Sequence, residues 1–260
     1  MVTATDLLQH GEIEVRGRIM PASNHTFLVQ LGAGEEAVAA VYKPVSGERP
    51  LWDFTDGTLA GREYAAWLVS EATGWRIVPP TTLRDGPAGR GMVQLWQEPD
   101  ERQAPVDLVP EGEVPDGFLH VLDAFDRHDR PVALVHEDTP ELRRMAVFDA
   151  IVNNTDRKGG HVLPMPDGHR FGVDHGVCFH AEDKLRSVLW GWAGAQLLEE
   201  EVAGVERVLA ALDEELGDRL EELLTARERH ALRSRCQRLL RQRVLPLPAG
   251  GWPVIPWPAF

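Results

Sequence analysis

Phe148-Asp149-Ala150-Ile151-Val152-Asn153-Asn154-Thr155-Asp156-Arg157-Lys158-Gly159-Gly160-His161-Val162-Leu163, followed shortly by Val173-Asp174-His175-Gly176, is the stretch on which the reading of this chain turns. A helix opened by Pro140 and running over Glu141 to Val152 ends in a polar loop, Asn153 to His161. Two apolar residues follow, then a small hairpin around Pro166-Asp167-Gly168, then a second Asp beside a Gly. Phosphoryl transfer needs such a pair. One carboxylate orients the acceptor hydroxyl, and another, on pliant backbone, holds Mg²⁺ on the β- and γ-phosphates.

Working outward, the front of the chain reads as strands. Glu14 to Met20 alternates, Pro21 to Asn24 is turn-like, and Thr26 to Leu31 resumes β character. After the turn Gly32-Ala33-Gly34 comes Ala37 to Tyr42, which delivers Lys43 to a strand end. Thr58 to Thr73 reads as a helix stopped by Gly74, with Glu63 as the natural acid to fix Lys43. Ile77-Val78 and Met92 to Trp96 read as further short strands. The order is hairpin, strand Lys, helix Glu, connector, loop Asp, second Asp.

This order resembles the protein-kinase-like superfamily, and most nearly its atypical phosphatidylinositol 3-/4-kinase-related and HipA-like branches. The chain is identified as a member of an actinobacterial family labelled phosphatidylinositol 3-/4-kinase-like. The resemblance spans roughly residues 12 to 200. It implies a two-lobed α+β fold with a small antiparallel-sheet lobe carrying one helix, a larger helical lobe, and ATP with Mg²⁺ between them. It implies that Lys43 binds the α- and β-phosphates, paired with Glu63. Asp156 is implied as the catalytic base, Lys158 steadies the γ-phosphate, and Asp174 binds the metal. Ser23 and Asn24 cap the phosphates in a turn that lacks the Gly-x-Gly-x-x-Gly pattern. Backbone groups in the Met92–Trp96 hinge, at Val93 and Leu95, meet the adenine. Where these kinases place a metal-binding Asn, this chain has His161. Imidazole suits Mn²⁺ or Zn²⁺ better than Mg²⁺, and the amide of Asn154 or Asn153 is a competing ligand.

Composition bounds the partners. Across 260 residues, 41 acids against 27 bases give a net charge of −14, which disfavours nucleic acid as the main partner. Two distant cysteines, Cys178 and Cys236, fit a reduced cytoplasmic compartment and no disulfide framework. No apolar run approaches the roughly 18 residues of a bilayer span, so no integral membrane contact is expected. The organisation expected is a nucleotide lobe (1–97), a Pro-rich acidic connector (98–118), a catalytic lobe (119–244) and a Pro/Trp tail (245–260) lying as an extended strap. Residues 196–216 and 218–243 read as two amphipathic helices, the second carrying seven arginines from Arg227 to Arg243. A basic helix can dock an anionic group, though pairing with the acids of 199–222 is the plainer reading. His161, His169, His175 and His180 lack zinc-site spacing. The expected activity is ATP-dependent phosphoryl transfer to a hydroxyl of a small molecule, lipid or protein, with Lys43, Arg157 and Lys158 gathered in the cleft. A nucleotide-binding pseudokinase and an AMP-transferring enzyme are the alternatives.

Overall fold

A computed structural model describes residues 3–20, 24–248 and 253–260. The chain starts with a short helix that the sequence reading passed over, α1 (Ala4–His10), held by a capping box between Thr3 and Asp6. A hairpin follows, β1 (Ile13–Arg18) and β2 (Phe27–Leu31), then β3 (Val38–Pro44). Helix α2 (Leu59–Thr73) begins where the Thr58 hydroxyl accepts from the Gly61 amide, and it ends on Gly74, whose φ of 74° is left-handed. The strands β4 (Thr81–Gly86) and β5 (Gly89–Leu95) complete an antiparallel sheet of order β1-β2-β3-β5-β4.

Alternation along β3 gives this sheet two faces. Ala40 and Tyr42 are fully buried with Leu8, Val29, Leu31 and Val93 in a small core. Val41 and Lys43 therefore point to the opposite face, toward the rest of the molecule. Ile77 and Val78 are buried but form no strand. The Ile77 carbonyl accepts from Gly172, and the Val78 amide donates to Ser70 Oγ.

The stretch read as a connector carries a strand. β6 (Val106–Pro110), β7 (Phe118–Phe125) and β8 (Pro131–Glu137) form a second antiparallel sheet of order β6-β8-β7. Pro110 misled the reading, but β6 is an edge strand, where a missing N–H breaks no ladder. Helix α3 (Pro140–Val152) then opens on Thr139, with proline in its first turn, and closes on Asn153 at a left-handed φ of 54°. A short hairpin, β9 (Val162–Pro164) and β10 (Arg170–Gly172), carries the chain to Asp174.

The last part holds three helices rather than the two expected: α4 (Glu199–Ala211), α5 (Glu215–Glu221) and α6 (Ala226–Gln242). The added break precedes Thr225, which forms a capping box with Glu228 and so starts α6 afresh. One large core joins α2, α3, α4 and α6. The architecture is the two-lobed α+β one expected, with a second sheet added. In the tail, residues 253–260 form neither helix nor strand and lie against the body. Val254 O accepts from Ser187 N and from the Trp190 indole, and Ile255 O accepts from Arg186. No helix among the described residues is long and apolar enough to cross a membrane.

Candidate active site

Lys43 enters the site because β3 is in register with β5, Lys43 opposite Met92, on the face away from the small core. Its Nζ donates to Glu63 Oε1 at 2.6 Å and to Asp174 Oδ1 at 2.8 Å. Glu63 is itself held. Its side chain is 2% exposed, and its second oxygen accepts from the backbone N–H of His175 at 2.8 Å. One residue from each of three distant segments thus meets at a single ammonium. Burial alone would lower the Lys43 pKa. The carboxylates of Asp174 and Glu63 outweigh it and raise it. Lys43 in turn holds the Asp174 carboxyl well below the usual carboxylate range. Glu63 is pushed up by burial against the pull of Lys43.

Asp174 sits at φ 62°, a left-handed conformation that Asp tolerates better than most side chains. It is half-exposed, and its Oδ2 lies 3.5 Å from Nε2 of His161. Burial lowers the His161 pKa, so the imidazole is biased toward its neutral, ligand-competent form. Its Nδ1 is buried with no hydrogen-bond partner.

The loop between α3 and β9 is built around a residue the sequence reading placed in the cleft. Arg157 is fully buried beneath the loop, not in the cleft. Its Nε and Nη2 form a bidentate pair with Asp149 at 2.8 Å each, and Nη1 donates to the carbonyls of His161 and Val173. Nη2 also meets Nε2 of the buried His175 at 2.7 Å. One guanidinium therefore fixes both the loop and the segment that carries Asp174. With Arg157 inside, Lys158 is the cation that this loop leaves partly exposed. Asp156 and Lys158 stay partly exposed, 3.2 Å apart.

Asn154 is also structural. Its Nδ2 donates to Asp149 and its Oδ1 accepts from the Asp156 amide, so its fully buried side chain ties the loop to α3. Asn24 accepts from the Arg49 amide through its Oδ1, while Ser23 lies outside the described residues. Val93 and Leu95 turn their side chains into the small core, on the other face from Lys43. Their backbones belong to β5, and the Leu95 amide donates to Pro80. Gln97 and Glu98, just beyond the strand, are the first residues whose backbone N–H has no partner among the described residues.

Gly159 is where the tail reaches the loop. Its N–H donates to the Ala259 carbonyl at 2.8 Å, and a Cβ placed on it would fall 2.3 Å from the Phe260 ring. A Cβ on Gly160 would meet nothing within 4 Å. Gly159→Ala is expected to destabilise by about 1–3 kcal/mol through overpacking, and Gly160→Ala to be nearly neutral. Adding Phe260→Ala should remove most of the Gly159→Ala penalty in urea melts. Full additivity of the two changes would contradict the contact.

Two fully buried imidazoles make the fold acid-sensitive. Burial, reinforced by Arg157, holds the His175 pKa well below 6.5, and burial lowers that of His136. His136 Nε2 accepts from the Gly191 amide, a bond only the unprotonated nitrogen can make. Because the folded-state pKa values are depressed, stability is flat above about pH 6.5 and falls below it, by up to about 1.4 kcal/mol per pH unit for each histidine. Urea midpoints measured between about pH 7.5 and 5 should fall only in the lower part of that range. A flat profile would contradict this reading.

No family model matches the chain. The crystal structure of a Helicobacter pylori proinflammatory kinase, CtkA, aligns over 91% of this chain and 93% of that chain at 12% identity, with a TM-score of 0.46. Protein Rv2133c of Mycobacterium tuberculosis (strain ATCC 25618 / H37Rv) is 52% identical over 263 residues, which cover 98% of this chain and 94% of that protein. At that identity over nearly the whole of both chains, this protein belongs to the family of Rv2133c.

Proposed function

We propose that this protein is an ATP-dependent phosphotransferase. The observation that carries the reading is the Lys43 ammonium, bound at 2.6 Å to the buried Glu63 and at 2.8 Å to the half-exposed Asp174. A lysine fixed by an acid on a neighbouring helix and set beside a second, solvent-facing carboxylate is how kinases present a cation to nucleotide phosphates. ATP would lie between the first sheet and the loop 153–161, its adenine against Gln97 and Glu98 and its α- and β-phosphates on Lys43.

Among the described residues no group of three His, Cys, Asp or Glu forms a ready metal cage. Mg²⁺ needs only one or two carboxylates when nucleotide phosphates complete its shell, and Asp174 supplies one. His161, beside Asp174 and biased to its neutral form, tilts the preference toward Mn²⁺. The metal, when bound, neutralises charge on the β- and γ-phosphates. Asp156 orients the acceptor hydroxyl and accepts its hydrogen bond, and Lys158 steadies the transferred group. Such a site works mainly by positioning and charge, because the transition state is loose.

The test uses ATP labelled separately at the γ- and α-phosphates, incubated with the protein and cell extract in Mg²⁺ or Mn²⁺. Transfer of γ-label supports the reading, and transfer of α-label replaces it with AMP transfer. Thermal stabilisation by ATP without any transfer or hydrolysis leaves a nucleotide-binding pseudokinase. If ATP fails to stabilise the protein with either metal, both readings fall.

A further inference from the structure

The seven arginines from Arg227 to Arg243, six in the last helix and one capping it, are mostly paired with acids. Arg229 pairs with Glu221, Arg233 with Asp213, Arg238 with Asp183 and Arg243 with Glu199. Arg235 differs. It is 2% exposed and has no carboxylate within ion-pair distance among the described residues. Its Nε donates to the Ile151 carbonyl and its Nη1 to the His180 carbonyl, while Nη2 is buried without a partner. A buried guanidinium satisfied only by neutral carbonyls retains its full positive charge in a poorly solvated place.

Arg235 lines a cavity of about 330 Å³ between α3, α6, the segment 183–190 and the tail. That is within the size range of small-molecule sites. Arg238 and Gln242 line it too, one and two turns along the same face of α6, and Trp190, Leu185 and Val254 form apolar walls. One acid, Asp183, also borders it, but that carboxylate is bound to Arg238 at 2.8 Å. Both partners of that pair are half-exposed, and such pairs contribute little and exchange readily.

We infer that this cavity is an anion site for a phosphate monoester or inorganic phosphate, held by Arg235 and Arg238 on the far side of the segment that follows Asp174. Arg235 supplies a positive charge with no carboxylate in ion-pair contact, and Arg238 can move from Asp183 to the anion. The planar guanidinium fork suits a tetrahedral oxyanion. The site involves none of the groups proposed to hold ATP. Occupancy would pin segment 183–190 to α6.

The test is titration of the full chain with inorganic phosphate, and separately with O-phospho-L-serine blocked at both ends. The Trp190 indole N–H resonance serves as the reporter, since that indole lines the cavity and donates to Val254. Saturable movement with half-saturation near or below about 1 mM is expected, weakened about tenfold in Arg238→Gln and several-fold in Gln242→Glu, where a like charge enters the mouth. Both side chains sit outside the core, so the variants should stay folded. Tighter binding of inorganic phosphate points to a free small anion, and tighter binding of phosphoserine to a phosphorylated side chain. If Trp190 stays unmoved, or if both variants bind as the parent does, the anion lies elsewhere and the inference is overturned. ATP binding does not enter this readout, so the result is independent of the phosphotransferase proposal.

Discussion

Asp174→Asn is expected to abolish the metal-dependent part of ATP stabilisation and to lower phosphoryl transfer by about 10³-fold or more, the scale of losing several kcal/mol of metal-borne charge stabilisation. The variant is informative because it should leave the fold intact. Asp174 is half-exposed, and without it Lys43 keeps its bond to Glu63. Lys43→Met would be a poorer test. It leaves the Glu63 carboxylate buried without its cation, and removing one partner of a buried pair costs about 3–5 kcal/mol. Lost activity there could not be told from lost structure. The measurements are thermal shift with ATP plus Mg²⁺ or Mn²⁺, and γ-phosphoryl transfer, with Asp156→Asn in parallel. Asp156→Asn should keep ATP binding and lose turnover. Unchanged ATP affinity in Asp174→Asn would rule out its assignment as the metal-binding residue.

Arg157→Met should be among the most damaging single changes to stability. The Arg157 and Asp149 side chains are 0% and 1% exposed, and the guanidinium also engages two carbonyls and His175. The substitution leaves the Asp149 carboxylate in the core with no cation, held only by the Asn154 amide, and loosens the loop that holds Asp156. A loss of about 3–5 kcal/mol is expected, which for a chain of this size lowers Tm by on the order of 10 °C. Combining it with Asp149→Leu removes the stranded charge and should recover part of the loss. The recovery stays partial because the carbonyls of His161 and Val173 have still lost their donor. Urea melts of both variants check this. A single variant as stable as the parent would show that the pair does not hold the loop.

The Lys43–Glu63–Asp174 meeting was legible because each member sits at a locally readable place. Lys43 ends an alternating strand, Glu63 lies a turn into a capped helix, and Asp174 follows a hairpin. What sequence could not give was parity and depth. Met92 and Val93 are adjacent, apolar and both buried, so hydropathy at that pair did not tell which one faces the small core. Arg157 beside Lys158 reads as a cleft cation, since charged side chains are normally exposed. Its burial follows from Asp149, eight residues away and one layer down. The hydrogen bonds of Asn154 to Asp149 and to the Asp156 amide were likewise not readable from its place in a polar run. β6 hid behind prolines that only an edge strand accommodates, and edge position is a tertiary fact.

Arg62, next to Glu63 on α2, is 1% exposed and forms an ion pair at 2.6 Å with Glu228 at the start of α6. The same helix is tied at its other end by Arg207, whose guanidinium caps the Thr73 carbonyl. The helix that carries Glu63 is therefore tied near both ends, to α6 and to α4. Two things follow for anyone cutting or tuning the protein. The first sheet cannot be excised with a working Lys43–Glu63 pair, because the acid's placement is set from outside that sheet. And α2 is held near both ends, so a change at Arg62 or Arg207 is expected to reach the Lys43–Glu63 pair.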